Sequence, residues 1–511
     1  MGIDNASNYL YAPSSGLYSC PIAMTDGAAS ILSPRVKSLP PTHPMQATFQ
    51  GLVSETDNHW TSGQWMTERV GGSDVQNTET WATHSPVSKD QSSPDSLGNG
   101  EYLINGFKFF SSATDATVSL LLAKTPSGKL SLFLAPLRRT IVGEDGVQRQ
   151  VTNGVRIHRL KNKLGTKELP TAELELKDMR AHLVGELDQG VATIAPLLNI
   201  TRIHTFLGSL SAWRRAISIA KNFAKARSTV GEPLWLIPMH LRLLADLEVK
   251  HRGVMNLAFF TIAVMGLVEN KVSQPSDLKH LPRPGKEVNV VFRTLTATTK
   301  AVVSKMSVAG IQECQEAMGG VGYMDEADEP EFNISRILRN TLVNAIWEGT
   351  TNVLASEMAR FLLKSDNLAV LGSWLDRALA LIETTSLRDS LNDAWTTLRT
   401  RFSTGAKAPE AVLADARRYM FTLAWIMCGT LLALDAERDR DPVSMEIANR
   451  WVVHTEGGVG DMPFHDIVTA RDFQADGENH VQWDCQIAWG IELPATRASG
   501  HRSLQKNGSK L

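Results

Sequence analysis

Ile346, Trp347, Glu348, Gly349 and Thr350 place one carboxylate between an indole ring and a glycine. Burial against Trp347 would raise a carboxyl pKa toward working pH, and Gly349 would let a substrate approach the backbone closely, so the pattern suits a general base in a dry pocket. Taken by itself it fits equally well a solvated Glu in the first turn of a helix. A second segment far upstream adds weight to the first. It runs from Met66, Thr67 and Glu68 to Gly71, Gly72, Ser73 and Asp74.

Together these segments resemble the acyl-CoA dehydrogenase flavoproteins, in which a stretch running from TE to GSD meets the flavin and a late YEGT or WEGT carries the catalytic glutamate. Further segments fit in order: NGFKFFSS (Asn105 to Ser112) the strand covering one flavin face, KNKLG (Lys161 to Gly165) a later strand junction, ARSTVG (Ala226 to Gly231) an R-x-x-F-G helix start, and EAMGGVGY (Glu316 to Tyr323) a glycine turn before the last helix. The wording of IWEG, GGVGY and CPIAMT (Cys20 to Thr25) is most similar to the AidB-like branch, which includes nitroalkane oxidases. The resemblance covers roughly residues 15 to 365.

The resemblance implies FAD as cofactor, an acyl-CoA thioester as substrate and α,β-dehydrogenation as the reaction: a base removes the α proton while the β hydride passes to the flavin. Glu348 takes the position of the base. Some relatives carry that base on an earlier helix just before an arginine, but here Thr201 precedes Arg202. Nitroalkane oxidases have Asp at the Glu348 position, so Glu348 favours thioester chemistry. By the same resemblance Met66 and Thr67 meet the flavin ring, Ser73 reaches the cofactor or the CoA edge, and Phe110, Ser111 and Ser112 lie along the other side. Phe110 stands for the usual Trp and Ser112 for the usual Thr. Arg227, Glu316, Gly319 and Gly320 meet the FAD across a dimer interface, which implies a homo-oligomer, dimer or tetramer; Val230 replaces the usual Phe there. Thr350 and Asn352 touch the phosphate and ribose side of the flavin, and Arg202 and Gly349 face the substrate. Each has a plainer alternative: strand packing for 105–112, a helix stop for Gly319 and Gly320, a helix-end charge for Arg227, a buried ion pair for Arg202.

The elements that must position these residues read as an α+β multidomain fold. A helical remnant over 1–62 precedes a central antiparallel β domain at 63–187. Its strands are YLING, FKFF, VSLLLAK, LSLFLAPL, VRIHRL and TAELELK, separated by NG, PSG and DG turn signals. His84 to Gly100 and Arg138 to Asn153 read as hairpins or surface loops. After Gly190 the apolar period becomes helical, giving a bundle at 188–370 with further segments near Leu236 to Glu269, Glu287 to Met318 and Asn344 to Leu363. A mostly helical region, 371–500, and a flexible tail, 501–511, follow. The family carries a long helical domain before its TE segment, whereas 65 residues precede Met66 here. A shortened wall to the acyl pocket is therefore expected.

Composition narrows the function further. The net charge is −2, and residues 371–511 hold 15 Lys and Arg against 19 Asp and Glu, opposite to what a phosphate-neutralising surface needs, so no nucleic-acid partner is expected. Cys20, Cys314, Cys428 and Cys485 lack metal-ligand spacing, as do His454, His465 and His480, so no metal is expected and the thiols read as reduced. The longest apolar run, Phe421 to Leu434, falls short of the about 18–20 residues that span a bilayer, so it reads as a buried helix rather than a membrane span. The terminal Ser509, Lys510 and Leu511 form the SKL address read by the peroxisomal import receptor. The reading is therefore a peroxisomal acyl-CoA dehydrogenase. Its rivals are a nitroalkane oxidase, an AidB-like DNA-associated flavoprotein, and an inactive shortened paralogue.

Overall fold

The computed structural model describes residues 5–72, 75–88, 93–270, 278–326, 328–406 and 408–453, with the backbone of 458–459 and 462–463. The described chain forms two compact units, one of residues 1–247 and 303–350, the other of 248–302 and 351–511.

The first unit begins with three helices, α1 (Asn5–Tyr11), α2 (Ser19–Val36) and α3 (Pro44–Leu52). The sheet strands follow: β1 (Ser62–Trp65), β2 (Trp81–His84), β3 (Tyr102–Ser112), β4 (Val118–Lys124) and β5 (Leu130–Pro136). A separate hairpin, β6 (Arg138–Val142) with β7 (Gln148–Thr152), precedes β8 (Val155–Leu160) and β9 (Thr171–Val184). The sheet order is β1-β4-β2-β3-β9-β5, with β8 on β9 and β4 also pairing β5. It is antiparallel as expected, except that β1 and one residue of β2 pair in parallel with β4. The reason lies in β4, which is buried on both faces. Val118, Leu120 and Leu122 join α2 and α3 residues such as Ile31, Leu32 and Phe49 in one core, while Leu121 and Ala123 join Trp65, Phe133 and Leu174 in another.

Two local readings change. The expected turn at Asn105–Gly106 is not a turn, because YLING and FKFF form one strand, β3, with a register shift at that point. Asn105 instead clasps the main chain and carboxylate of Asp178 on β9, at 2.9 and 3.1 Å. A β-carbon on Gly106 would lie 2.4 Å from Thr80 Oγ1, so the glycine admits the chain entering β2 rather than reversing β3. Likewise the expected helix start at ARSTVG is a helix end. α4 (Gly190–Ala226) stops there, and β10 (Ser228–Thr229) turns back on β11 (Glu232–Pro233). Val230 and Gly231, both with positive φ (54° and 84°), make that turn.

α5 (Pro238–Asn270) and α6 (Lys286–Glu316) carry the boundaries between the units within their lengths. The first unit then closes with α7 (Ile334–Thr341). The second adds α8 (Thr351–Leu362), α9 (Asn367–Leu379), α10 (Thr385–Gly405), α11 (Pro409–Ala414), α12 (Ala416–Asp439) and α13 (Pro442–Val452). Its core is aromatic. Trp425 and Trp451 each donate an indole N–H to the other's carbonyl at 3.0 Å, and Trp374 stacks on Phe260 with ring centroids 5.7 Å apart. Two described helices are long and apolar enough to cross a membrane; in α12, which contains Phe421 to Leu434, 83% of the apolar window is buried, in α5 39%. Cys314 and Cys428 are buried free thiols, and Cys20 is half-buried. Cys485, His454, His465, His480 and the Ser509–Leu511 terminus lie outside the described residues.

Candidate active site

The MTERVGG segment is fixed by its own glutamate. Glu68 is 4% exposed and accepts from Lys108 Nζ, Thr80 Oγ1 and the Glu79 amide, each at 2.6 Å. Burial pushes its carboxyl up, but Lys108 and these hydrogen bonds outweigh that and hold it below the usual range. Lys108 is fully buried and also donates to the Leu122 carbonyl at 3.0 Å. The TE motif is thereby pinned to β3 and β4, and the Phe109 amide donates to the Thr67 carbonyl at 2.9 Å, setting Met66 and Thr67 beside the end of β3. Ser73 lies outside the described residues.

At that end of β3, Phe110 is 49% exposed, whereas Ser111 is buried, its hydroxyl without a hydrogen-bond partner among the described residues. The Ser112 carbonyl accepts from the buried Trp65 indole at 3.1 Å, and its hydroxyl meets Thr171 Oγ1 at 3.0 Å. Lys163 donates to Thr171 Oγ1 and to the Leu169 carbonyl, at 3.0 and 2.6 Å. The KNKLG junction carrying Lys163 is tied to α7, since the Thr166 amide donates to Asn340 at 2.6 Å and Arg336 pairs with Glu168.

Glu348 does not ride a helix. Residues Leu342–Ala345 form a short 3-10 turn, Glu348 and Gly349 both take positive φ (55° and 99°), and α8 starts only at Thr351. The expected helix from Asn344 is thus seven residues shorter at its start, because two successive left-handed residues break it. Gly349 meets the conformation without a β-carbon; Glu348 does so at a cost. Glu348 is half-buried, and Thr201 Oγ1 of α4 donates to its Oε2 at 2.6 Å. Trp347 is half-buried, with its indole nitrogen out of water and without a hydrogen-bond partner among the described residues.

Cys20, at the start of α2, joins the two halves of this cluster. Its thiol hydrogen-bonds Ser112, and burial, with the nearby Glu348 charge, pushes it up to about 12 against the opposing pull of Lys163. It is therefore a neutral thiol at working pH. Neither Thr201 nor Cys20 was marked as a site residue by the sequence, though both fall in segments it drew attention to. The contacts that matter bridge 147 residues for Thr201 and Glu348, and no local pattern encodes them.

Other expected site residues stand apart. Arg227 caps α4 and is exposed, as are Glu316, Gly319, Gly320 and Thr350. Arg202, next to Thr201, is half-buried with its Nε out of water. Asn352, on α8 in the second unit, is exposed and accepts from Arg417 at 3.4 Å.

The chain matches the acyl-CoA dehydrogenase middle domain over residues 63–179 and the acyl-CoA dehydrogenase C-terminal domain over 188–363. It is 36% identical over 471 residues to acyl-CoA dehydrogenase family member 11 of Caenorhabditis elegans, covering 87% of this chain and 70% of that one. It belongs to the acyl-CoA dehydrogenase family. The putative acyl-CoA dehydrogenase AidB of Escherichia coli (strain K12) is 31% identical over 355 residues, with 68% of this chain and 57% of AidB covered. Among solved structures, Caenorhabditis elegans ACDH-11 in complex with C11-CoA superposes with a TM-score of 0.80 at 32% identity, over 95% of this chain and 78% of that one. An acyl-CoA dehydrogenase from Bacillus anthracis, complexed with FAD, shares the fold at a TM-score of 0.64 and 19% identity, over 83% and 70% of the two chains. The expected α+β family fold thus holds.

Proposed function

We propose that the chain is an FAD-dependent dehydrogenase of acyl-CoA thioesters with Glu348 as the base. The observation that carries this reading is the half-buried Glu348 carboxylate, held by Thr201 and sharing Cys20 as a neighbour with Ser112 at the end of β3. One carboxylate is thereby set close to the strand end that, by family resemblance, lies along a flavin.

The residues present fit that cofactor. Met66, Thr67, Phe110 and Ser112 sit on two chain segments joined by the Phe109 to Thr67 hydrogen bond, with an exposed ring at Phe110 and the buried hydroxyl of Ser111 still open to a partner. FAD, when bound, accepts the hydride from the substrate's β carbon. Glu348 takes the α proton on a carboxylate oxygen; the C–H electron pair becomes the new Cα–Cβ bond, and the products balance as one proton, one hydride and an enoyl thioester. Arg227, Glu316, Gly319 and Gly320 are the groups that would meet FAD from a second copy, giving a homo-oligomer. The C11-CoA complex of the similar ACDH-11 supports an acyl-CoA as substrate. Ser509, Lys510 and Leu511 support delivery to the peroxisome by its import receptor.

The purified protein should carry a flavin absorbance spectrum that bleaches anaerobically with saturated acyl-CoAs of graded chain length. A flavin that no acyl-CoA bleaches would reject the activity. A fluorescent fusion preserving the C-terminus should be peroxisomal with Leu511 and diffuse without it; the same distribution for both would reject the address.

A further inference from the structure

Thr201 has two acceptors within reach of a single hydroxyl proton. Glu348 Oε2 lies at 2.6 Å, and the carbonyl of Leu198, one turn back on α4, lies at 3.2 Å. The shorter contact, to a carboxylate, is the charge-assisted one and takes the proton while Glu348 is ionised. Both acceptors are reached from one Oγ1 position, so the proton passes between them by rotation of the hydroxyl alone, with no change of χ1. Thr201 is 3% exposed, so water does not compete for the hydroxyl. Its carbonyl is engaged by the Thr205 hydroxyl at 2.8 Å, which stiffens the turn that carries it.

The other side of the contact needs holding. Glu348 sits at φ 55° with Gly349 at 99°, so its backbone conformation is one the local sequence does not favour and a tertiary contact must help to fix. The titratable groups near it include Cys20 from α2, neutral and raised to about 12, with Lys163, lowered by burial, beside Cys20, and Arg202 next to Thr201 on α4. The Cys20 thiol is too weak an acid to change charge in the working range.

We propose that Thr201 is a positioning residue for Glu348, its hydroxyl donating to the ionised carboxylate and turning to the Leu198 carbonyl once Glu348 has taken up a proton. This rests on Glu348 being the base. The two-acceptor arrangement leaves no buried hydroxyl unsatisfied in either protonation state, so proton uptake costs a rotation rather than a lost bond. A donor to the charged form favours that form, so removing it moves ionisation of the base to higher pH.

Thr201→Val keeps the shape and removes the donor; Thr201→Ser keeps the donor. In anaerobic single-turnover reduction of the bound flavin by acyl-CoA, Thr201→Val should slow reduction about 10-fold at neutral pH and move the acid limb of the pH profile up by about half to one unit. Flavin content and half-saturating acyl-CoA should stay as in wild type, and Thr201→Ser should restore both rate and limb. Independently of any substrate, protein labelled with carboxyl-13C glutamate, its Glu348 resonance assigned by loss in Glu348→Gln, should show the same upward move of titration in Thr201→Val. An unmoved Glu348 titration in Thr201→Val overturns the proposal. A moved titration with no acyl-CoA able to reduce wild-type flavin rejects the dehydrogenase reading while leaving the hydroxyl contact in place.

Discussion

Glu68 and Glu348 are both motif carboxylates of the first unit, and the chain surrounds them differently. Glu68, 4% exposed, is fastened by an ammonium, a hydroxyl and an amide, each at 2.6 Å, on an unstrained strand connection. Glu348 is half-buried on a left-handed residue, with the Thr201 hydroxyl at 2.6 Å and the Cys20 thiol nearby. A carboxylate paired with a buried cation is locked in its charged form and serves as a structural tie. One that is half-buried, with a hydroxyl donor and a neutral thiol beside it, is the better placed to exchange a proton. The difference separates an anchor from a base more cleanly than either motif does.

The largest effect should come from breaking the anchor. Lys108→Met leaves Glu68 buried without its cation and should cost about 3–5 kcal/mol in unfolding free energy, measured by denaturant titration. Replacing both partners, Lys108→Met with Glu68→Gln, should recover much of that loss. Equal stability of the single variant and wild type would mean that Glu68 is not the tie described here.

The second effect belongs to the base. Glu348→Gln should slow anaerobic flavin reduction by acyl-CoA at least about 100-fold, the usual worth of a positioned general base, with flavin still bound. Its unfolding free energy should hardly move, in contrast to Lys108→Met. Reduction at the wild-type rate would remove Glu348 from the chemistry.

A third change sharpens the contrast in backbone. Gly349→Ala puts a β-carbon on a residue with φ 99° and should cost about 1–3 kcal/mol of stability, with slower flavin reduction as Glu348 is displaced. If the variant keeps full stability, the turn before α8 is not under the constraint its dihedrals indicate.

The smallest effect concerns Glu173, a further anchor, where Arg69, Arg159 and Lys161 converge on one carboxylate at 3.3, 2.7 and 2.6 Å. The hydrogen bonds from Arg159 and Lys161 hold its carboxyl down at about 2. A depressed acid stabilises the folded state above its unfolded value, near 4.5, and that contribution disappears as pH falls through about 2. Glu173→Gln should therefore be less stable than wild type at neutral pH, with the gap closing on acidification. A gap independent of pH would show that the three cations act through packing alone.

Much of the fold was legible before the structure. The apolar runs VSLLLAK and LSLFLAPL, bounded by turn signals, read as strands, and the change of period at Gly190 marked the first long helix, because side-chain patterning is a local property of the chain. The Asn105–Gly106 pair was misleading for the same reason. Its composition is that of a turn, but Asp178 and Thr80, distant in sequence, make it a strand irregularity. The ARSTVG segment was read as a helix start from family order, whereas Val230 and Gly231 close a hairpin there.

The sequence alone determined the family, the ordered motifs and Glu348 as the carboxylate to watch, since residue type and order survive without coordinates. It could not supply the positive φ of Glu348, the Thr201 hydroxyl across 147 residues, or the Cys20 thiol between Glu348 and Ser112. Those belong to the tertiary structure because a carboxylate's proton affinity is set by the donors, charges and water around it. Only folding brings α2, α4, β3 and the turn before α8 to one place.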